Sequence, residues 1–190
     1  MRRTLKAVIT AVALLGATIG TATVTTAPAQ ALGAGAACMF NAPTGAQLVP
    51  WLGVNAGHVG WAFLEGGTKT WEYGATESAT NNWRASGNEQ QMFDAFYGLS
   101  GHGIHTGYYT KFRCKQTANS SVGAASNEVN RLYGQTYSGP DNNCLTRTVS
   151  IFKAYDSSFG GMDIGSWVAP NFYFDNLNAV GFGPAQTLPR

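Results

Sequence analysis

Charged side chains are scarce in this chain, at 12% of its 190 residues against a usual share of about 25%. With so few charges and an apolar fraction of 44%, the composition excludes both a disordered chain and a long charged coiled coil. Past the N-terminus no uncharged apolar run approaches the ~20 residues that span a bilayer. The glycine-rich stretches lack the strand-GxGxxG-helix and GxxxxGK contexts that cradle phosphates, so no nucleotide site is expected. The formal charge of +2 comes from the extreme N-terminus, where Arg2, Arg3 and Lys6 precede any acid. Without them nine basic side chains face ten acidic ones, and a charge near −1 offers no footprint for nucleic acid or anionic lipid.

What the chain does contain begins with an address. A basic start (Met1 to Lys6), an apolar run from Ala7 to Ile19 and a small-residue stretch ending Ala29-Gln30-Ala31 have the layout of a signal peptide. Cleavage is expected after Ala31. Residues 32–190 then form a single domain, long enough for its own core and destined for the cell exterior or cell wall, without membrane contact once the signal is gone. Cysteine is nearly absent, and an odd count of three in an oxidising compartment means one pair and one leftover thiol. Cys38 and Cys114 can pair across the N-terminal lead-in and a strand, which leaves Cys144 as the odd thiol.

Alternation of Val59, Trp61 and Phe63 against small residues, a Glu65-Gly66-Gly67 turn and a second alternating run through Trp71 and Tyr73 predict a β-hairpin. Leu32 to Ala37 reads as a loose lead-in, and Gly74 to Gly87 as a polar loop carrying Trp83. Asn88 to Leu99 has an N-cap and helical spacing of Met92, Phe93 and Phe96. Tyr108 to Gln116 alternates like a strand, with Tyr109, Lys111 and Arg113 on its wet side and Cys114 on its apolar side. Two further helices are expected, one over Ser120 to Tyr133 and one opening at Cys144, with Thr146, Arg147, Ser150 and Lys153 turned outward. Trp167 and Phe172 to Phe174 are expected to cover the core.

One constellation could carry chemistry. Cys144 follows Asp141-Asn142-Asn143 and opens a helix, where the positive end of the dipole favours thiolate and a backbone N–H could donate to an oxyanion. His58, flanked by Gly57 and Gly60, is the candidate base. A third group should orient the imidazole. A three-residue turn in the hairpin would place Glu72 opposite Gly60 on the face of His58, a two-residue turn would place Tyr73 there, and Glu77 is the other candidate. His102 and His105 share a loop without a nearby carboxylate, so neither a metal nor any other cofactor is expected.

The order Gly-His-Val-Gly-Trp-Ala-Phe, then Trp-Glu-Tyr-Gly, then a helix opening at Asn-Asn-Cys, resembles the circularly permuted branch of the papain-like (NlpC/P60-related) cysteine hydrolases, over roughly residues 54–155. The resemblance implies an α+β fold, a small antiparallel sheet with helices packed on it, and a Cys/His pair with a polar third residue. It also implies activity on amide or acyl bonds. Secreted members often cut peptidoglycan cross-peptides or act as lipid acyltransferases. By position Cys144 is the nucleophile and His58 the base. Where a lecithin:retinol-acyltransferase-like member shows a second His, this chain has Glu72 or Tyr73.

The sequence therefore predicts a secreted hydrolase of amide bonds, with cell-wall peptide or peptidoglycan the leading substrate. Its rivals are acyl transfer on the same fold and a noncatalytic secreted protein that binds wall polymer or serves a structural role.

Overall fold

The computed structural model describes residues 35–44, 56–76, 81–98, 109–138, 141–164 and 169–189, all within the unit Ala31–Arg190. The expected signal segment, Glu77, His102, His105 and Trp167 lie outside the described residues. Six antiparallel strands form one sheet in the order β4-β3-β2-β1-β5-β6. They are β1 Gly35–Ala42, β2 His58–Leu64, β3 Trp71–Thr76, β4 Asn82–Gly87, β5 Lys111–Thr117 and β6 Gln186–Thr187. Helix α1 (Glu89–Tyr97) packs on one face. On the other lie α2 (Val122–Tyr133), α3 (Cys144–Tyr155) and α4 (Pro170–Asp175), with two short 3-10 turns, Ser157–Phe159 and Leu177–Val180. The architecture is α+β.

Strand alternation divides the core in two. Val59, Trp61 and Phe63 of β2, with Ala37 and Met39 of β1, pack under α2 and α3. Ala62 and Leu64, with Cys38, Phe40 and Ala42, pack under α1, where Phe40 and Phe96 stack. Covered on both sides, β1 is buried along its whole length, so Gly35 to Ala37, the described part of the lead-in expected to be loose, begin an inner strand of the sheet. Gly35 opens it because a Cβ there would collide with the Tyr155 hydroxyl. That hydroxyl donates to the Leu64 carbonyl (2.6 Å) and accepts from Ala36 N (3.0 Å), fixing the C-terminal end of α3 to the far end of β2.

Cys38 and Cys114 face each other across β1 and β5 and are disulfide-bonded, the pairing expected from the sequence. The expected polar loop from Gly74 to Gly87 instead continues β3 to Thr76 and contains β4, an edge strand whose Trp83 turns inward under α1. The wet side expected for β5 is also covered. Arg113 donates to the carbonyls of Gly183 and Asp175, and Lys115 to those of Ser158 and Val180. Both cations lie over phenyl rings, Phe174 and Phe159, so the C-terminal segment closes over them. Of the aromatics expected to cover the core, Phe174 is buried and Phe172 is exposed.

Candidate functional site

The pairings Ala42↔His58, Asn41↔Lys111 and Thr76↔Asn82 bring the end of β1, the start of β2, the end of β3 and the starts of β4 and β5 to one end of the sheet. Because its last residue is tied to Leu64, α3 presents its first turns at that same end. Six of the eight buried polar or charged side chains among the described residues belong to this end: Asn41, His58, Thr76, Asn143, Arg147 and Thr148. Burying polar groups costs free energy unless they are satisfied, so their gathering marks this end, rather than the apolar remainder of the core, as the candidate site. The hydroxyls of Thr76 and Thr148 and the indole N–H of Trp61 have no hydrogen-bond partner here.

Cys144 stands at the first position of α3, is 1% exposed and takes no part in the disulfide. The helix start is built as the sequence predicts. The Asn143 side chain accepts from the N–H groups of Leu145 (2.9 Å) and Thr146 (3.0 Å), and the Thr146 hydroxyl accepts from Asn143 N (2.8 Å). The Cys144 N–H, an expected oxyanion donor, points at the Tyr137 hydroxyl, 3.4 Å away. Burial pushes the Tyr137 phenol well above the usual tyrosine value, and the adjoining Cys144 pushes it further.

His58 opens β2 and is 2% exposed. Gly57 precedes it with φ +78°, a left-handed turn where any Cβ would also strike Asn171. Asn171 pins this corner: it accepts from Asn41 Nδ2 (2.9 Å) and donates to the carbonyls of Pro43 (3.0 Å) and Ala56 (3.0 Å). The expected Cys144–His58 pair is not brought together across one face. Alternation along β2 sends His58 to the α1 side with Gly60 and Ala62, its ring 6.0 Å from that of Tyr109, whereas Cys144 packs with Val59 and Trp61 on the other side. The two share an end of the sheet and lie on opposite faces of it.

Glu72 is corrected as well. The hairpin loop runs from Glu65 to Thr70, longer than either turn considered, so Ala75 rather than Glu72 or Tyr73 stands opposite Gly60. Glu72 pairs with Phe63 and points to the α2 face, where it holds Arg84 (2.6 Å) and accepts from the Ser126 hydroxyl (2.7 Å). Tyr73 does lie on the His58 face, opposite Ala62 and packed near Trp83 and Phe96.

Arg147 was expected to face solvent, yet it is 1% exposed. Its Nε donates to Asn142 Oδ1 (2.8 Å), Nη2 to the Gln135 carbonyl (2.8 Å) and Nη1 to Asn82 Oδ1 (3.4 Å), and its guanidinium lies 5.5 Å from the Tyr137 ring centroid. All three acceptors are neutral. Burial pulls the guanidinium below the usual arginine value, while Tyr137, Tyr133 and Cys144 act in the opposite sense. The sequence carried a signal for this site in the turn-rich composition between Tyr137 and Asn143, and Ser138 pairs with Asn142 just ahead of α3. Outside Arg147 lies a recess of about 220 Å³, lined by Arg131, Gln135, Asp141, Asn142 and Thr146, smaller than the ~300 Å³ at which small-molecule pockets begin. Among the described residues no group of acidic, His and Cys side chains could hold a metal ion, and no helix is long and apolar enough to cross a membrane. Compared with known family models, curated proteins and solved structures, the chain matches none, and its likeness to the permuted papain-like branch rests on its own short motifs.

Proposed function

We propose that this chain is an exported thiol hydrolase of amide bonds, built on a permuted papain-like plan, with Cys144 as nucleophile and cell-wall peptide as substrate. One observation carries the reading: a thiol outside the disulfide opens a doubly capped helix at the end of the sheet where the buried polar side chains gather. In that role the Cys144 sulfur attacks the amide carbonyl, the amine leaves with a proton, and water releases the acyl group from the resulting thioester. The carbonyl oxygen would take over the Cys144 N–H from the Tyr137 hydroxyl. His58 serves as base only if its ring passes round the start of β2, beside Gly57, to reach the α3 side.

The test is release of soluble peptide from purified cell wall by the parent, Cys144→Ala and His58→Ala, each checked for an unchanged melting transition. Loss of turnover in both variants supports the full reading. Undiminished release by Cys144→Ala overturns it, and activity in His58→Ala with none in Cys144→Ala removes only the base assignment. A second reading, a noncatalytic exported domain that binds wall polymer, is favoured by the near-complete burial of Cys144 and by the face on which His58 lies. It requires wall binding without release by parent and variant alike.

A further inference from the structure

We propose that Arg147 is the counter-ion of a standing Cys144 thiolate, with the Tyr137 hydroxyl completing the group by donating to the sulfur. This deepens the hydrolase reading, because a nucleophile held as thiolate needs no base to ionise it, but the arrangement can be tested without any turnover.

The argument starts from a buried charge. A guanidinium is charged at every accessible pH, and removing it from water is costly unless an anion faces it. Arg147 is fully enclosed, yet among the described residues it donates to two amide oxygens and one backbone carbonyl and to no carboxylate. Those bonds occupy three of the five N–H donors of a guanidinium, leaving two for another acceptor. Cys144 precedes Arg147 by three positions on α3, which puts the two side chains on one face of the helix. Tyr137 links them, its ring under the guanidinium and its hydroxyl against Cys144.

Among the described residues the other ionisable groups around the pair are few. From α2 come Tyr133, a phenol, and Arg131, which is engaged by Glu128 at 2.6 Å. Asp141 lies ahead of α3 and lines the outer recess, where it makes no bond to the guanidinium. On the same face β3 carries Glu72, whose carboxylate is taken up by Arg84 of β4 and the Ser126 hydroxyl, while Trp61, Thr76 and Asn82 do not titrate. The acid placed to balance Arg147 is therefore the Cys144 thiol, whose proton passes to solvent. The helix N-terminus, with the Asn143 side chain occupied by the next two amides, adds to the same preference.

The experiment is a pH titration of the ultraviolet thiolate band in the intact, disulfide-bonded protein, read as a difference spectrum against Cys144→Ala. The parent midpoint should lie at least ~1 pH unit below the ordinary thiol value near 8.5. Arg147→Met should raise it by about one to three units, and Arg147→Lys, which keeps the charge, should raise it less. Tyr137→Phe keeps the ring under the guanidinium and removes the donor, so it too should raise the midpoint; it carries the test if Arg147→Met does not fold. A parent midpoint at or above the ordinary value, or one that Arg147→Met and Tyr137→Phe both leave in place, overturns the proposal. A depressed midpoint in a protein that releases no peptide keeps the ion pair and sinks only the hydrolase.

Discussion

Removing the disulfide should cost this domain a large part of its stability, by an amount that follows from topology. Cys38 and Cys114 sit in adjacent strands but are 76 positions apart, and the loop they close holds β2, β3, β4 and α1. The chain-entropy relation for a loop of that length gives about 4.5 kcal/mol at room temperature. Domains of this kind total about 5–15 kcal/mol, so the crosslink decides whether the fold persists when warmed. The comparison is between parent and a Cys38→Ala, Cys114→Ala double variant, both carrying Cys144→Ala to exclude thiol exchange, unfolded in urea and followed by circular dichroism. The variant should lose about 4.5 kcal/mol, and its denaturant slope should rise because the uncrosslinked unfolded ensemble exposes more surface. Its melting temperature should fall by roughly 9–18 °C, at about 2–4 °C per kcal/mol. A difference below about 1 kcal/mol with an unchanged slope would refute the loop argument.

Two further outcomes test the start of α3 and its contact with α2. Asn143→Ala removes the acceptor for two helix-start N–H groups and should destabilise by about 1 kcal/mol in thermal melts, whereas Asn143→Asp should retain most of that stability. Glu128 is bonded by Arg131, and also by Ser150 of α3, and the Arg131 guanidinium foremost holds its carboxyl below the usual range. A carboxyl depressed in the folded state stabilises above its unfolded value, near ~4.3, and that contribution disappears as pH falls through the lower folded value. Melting temperature against pH should therefore decline less steeply through the acid range in Glu128→Gln than in the parent. Parallel curves would exclude the Glu128 contribution.

Periodicity served where an element has one wet side or one dry side. The β2–β3 hairpin, α1, α2 and α3 are all legible from spacing and caps, and the odd cysteine count pointed to the Cys38–Cys114 bond. It failed where both sides are dry. The run Gly-Ala-Ala-Cys-Met-Phe-Asn-Ala has no alternation because α1 covers one side of β1 and the α2–α3–α4 layer the other. In β4 the signal was diluted by Asn82, Arg84 and Ser86, polar on an edge strand whose inward positions are only Trp83 and Ala85.

The candidate site turned on a different kind of information. Spacing tells which side chains of one element share a face, but not which neighbouring element will cover that face. Thus Cys144 and His58 could each be placed on its own element, at a helix start and a strand start, while their lying on opposite sides of β2 depends on where α3 packs. Arg147 shows the complementary failure. As a charged residue in a helix with an apolar stripe it belongs outside by composition, yet it is buried, and Gln135 and Asn142 supply two of its three acceptors. A fold that encloses a cation beside its odd thiol, with neutral acceptors for all three of its hydrogen bonds, has broken a local rule. Such breaks concentrate where structure has been shaped by something other than stability, which is why the chemistry is sought at the mouth of α3.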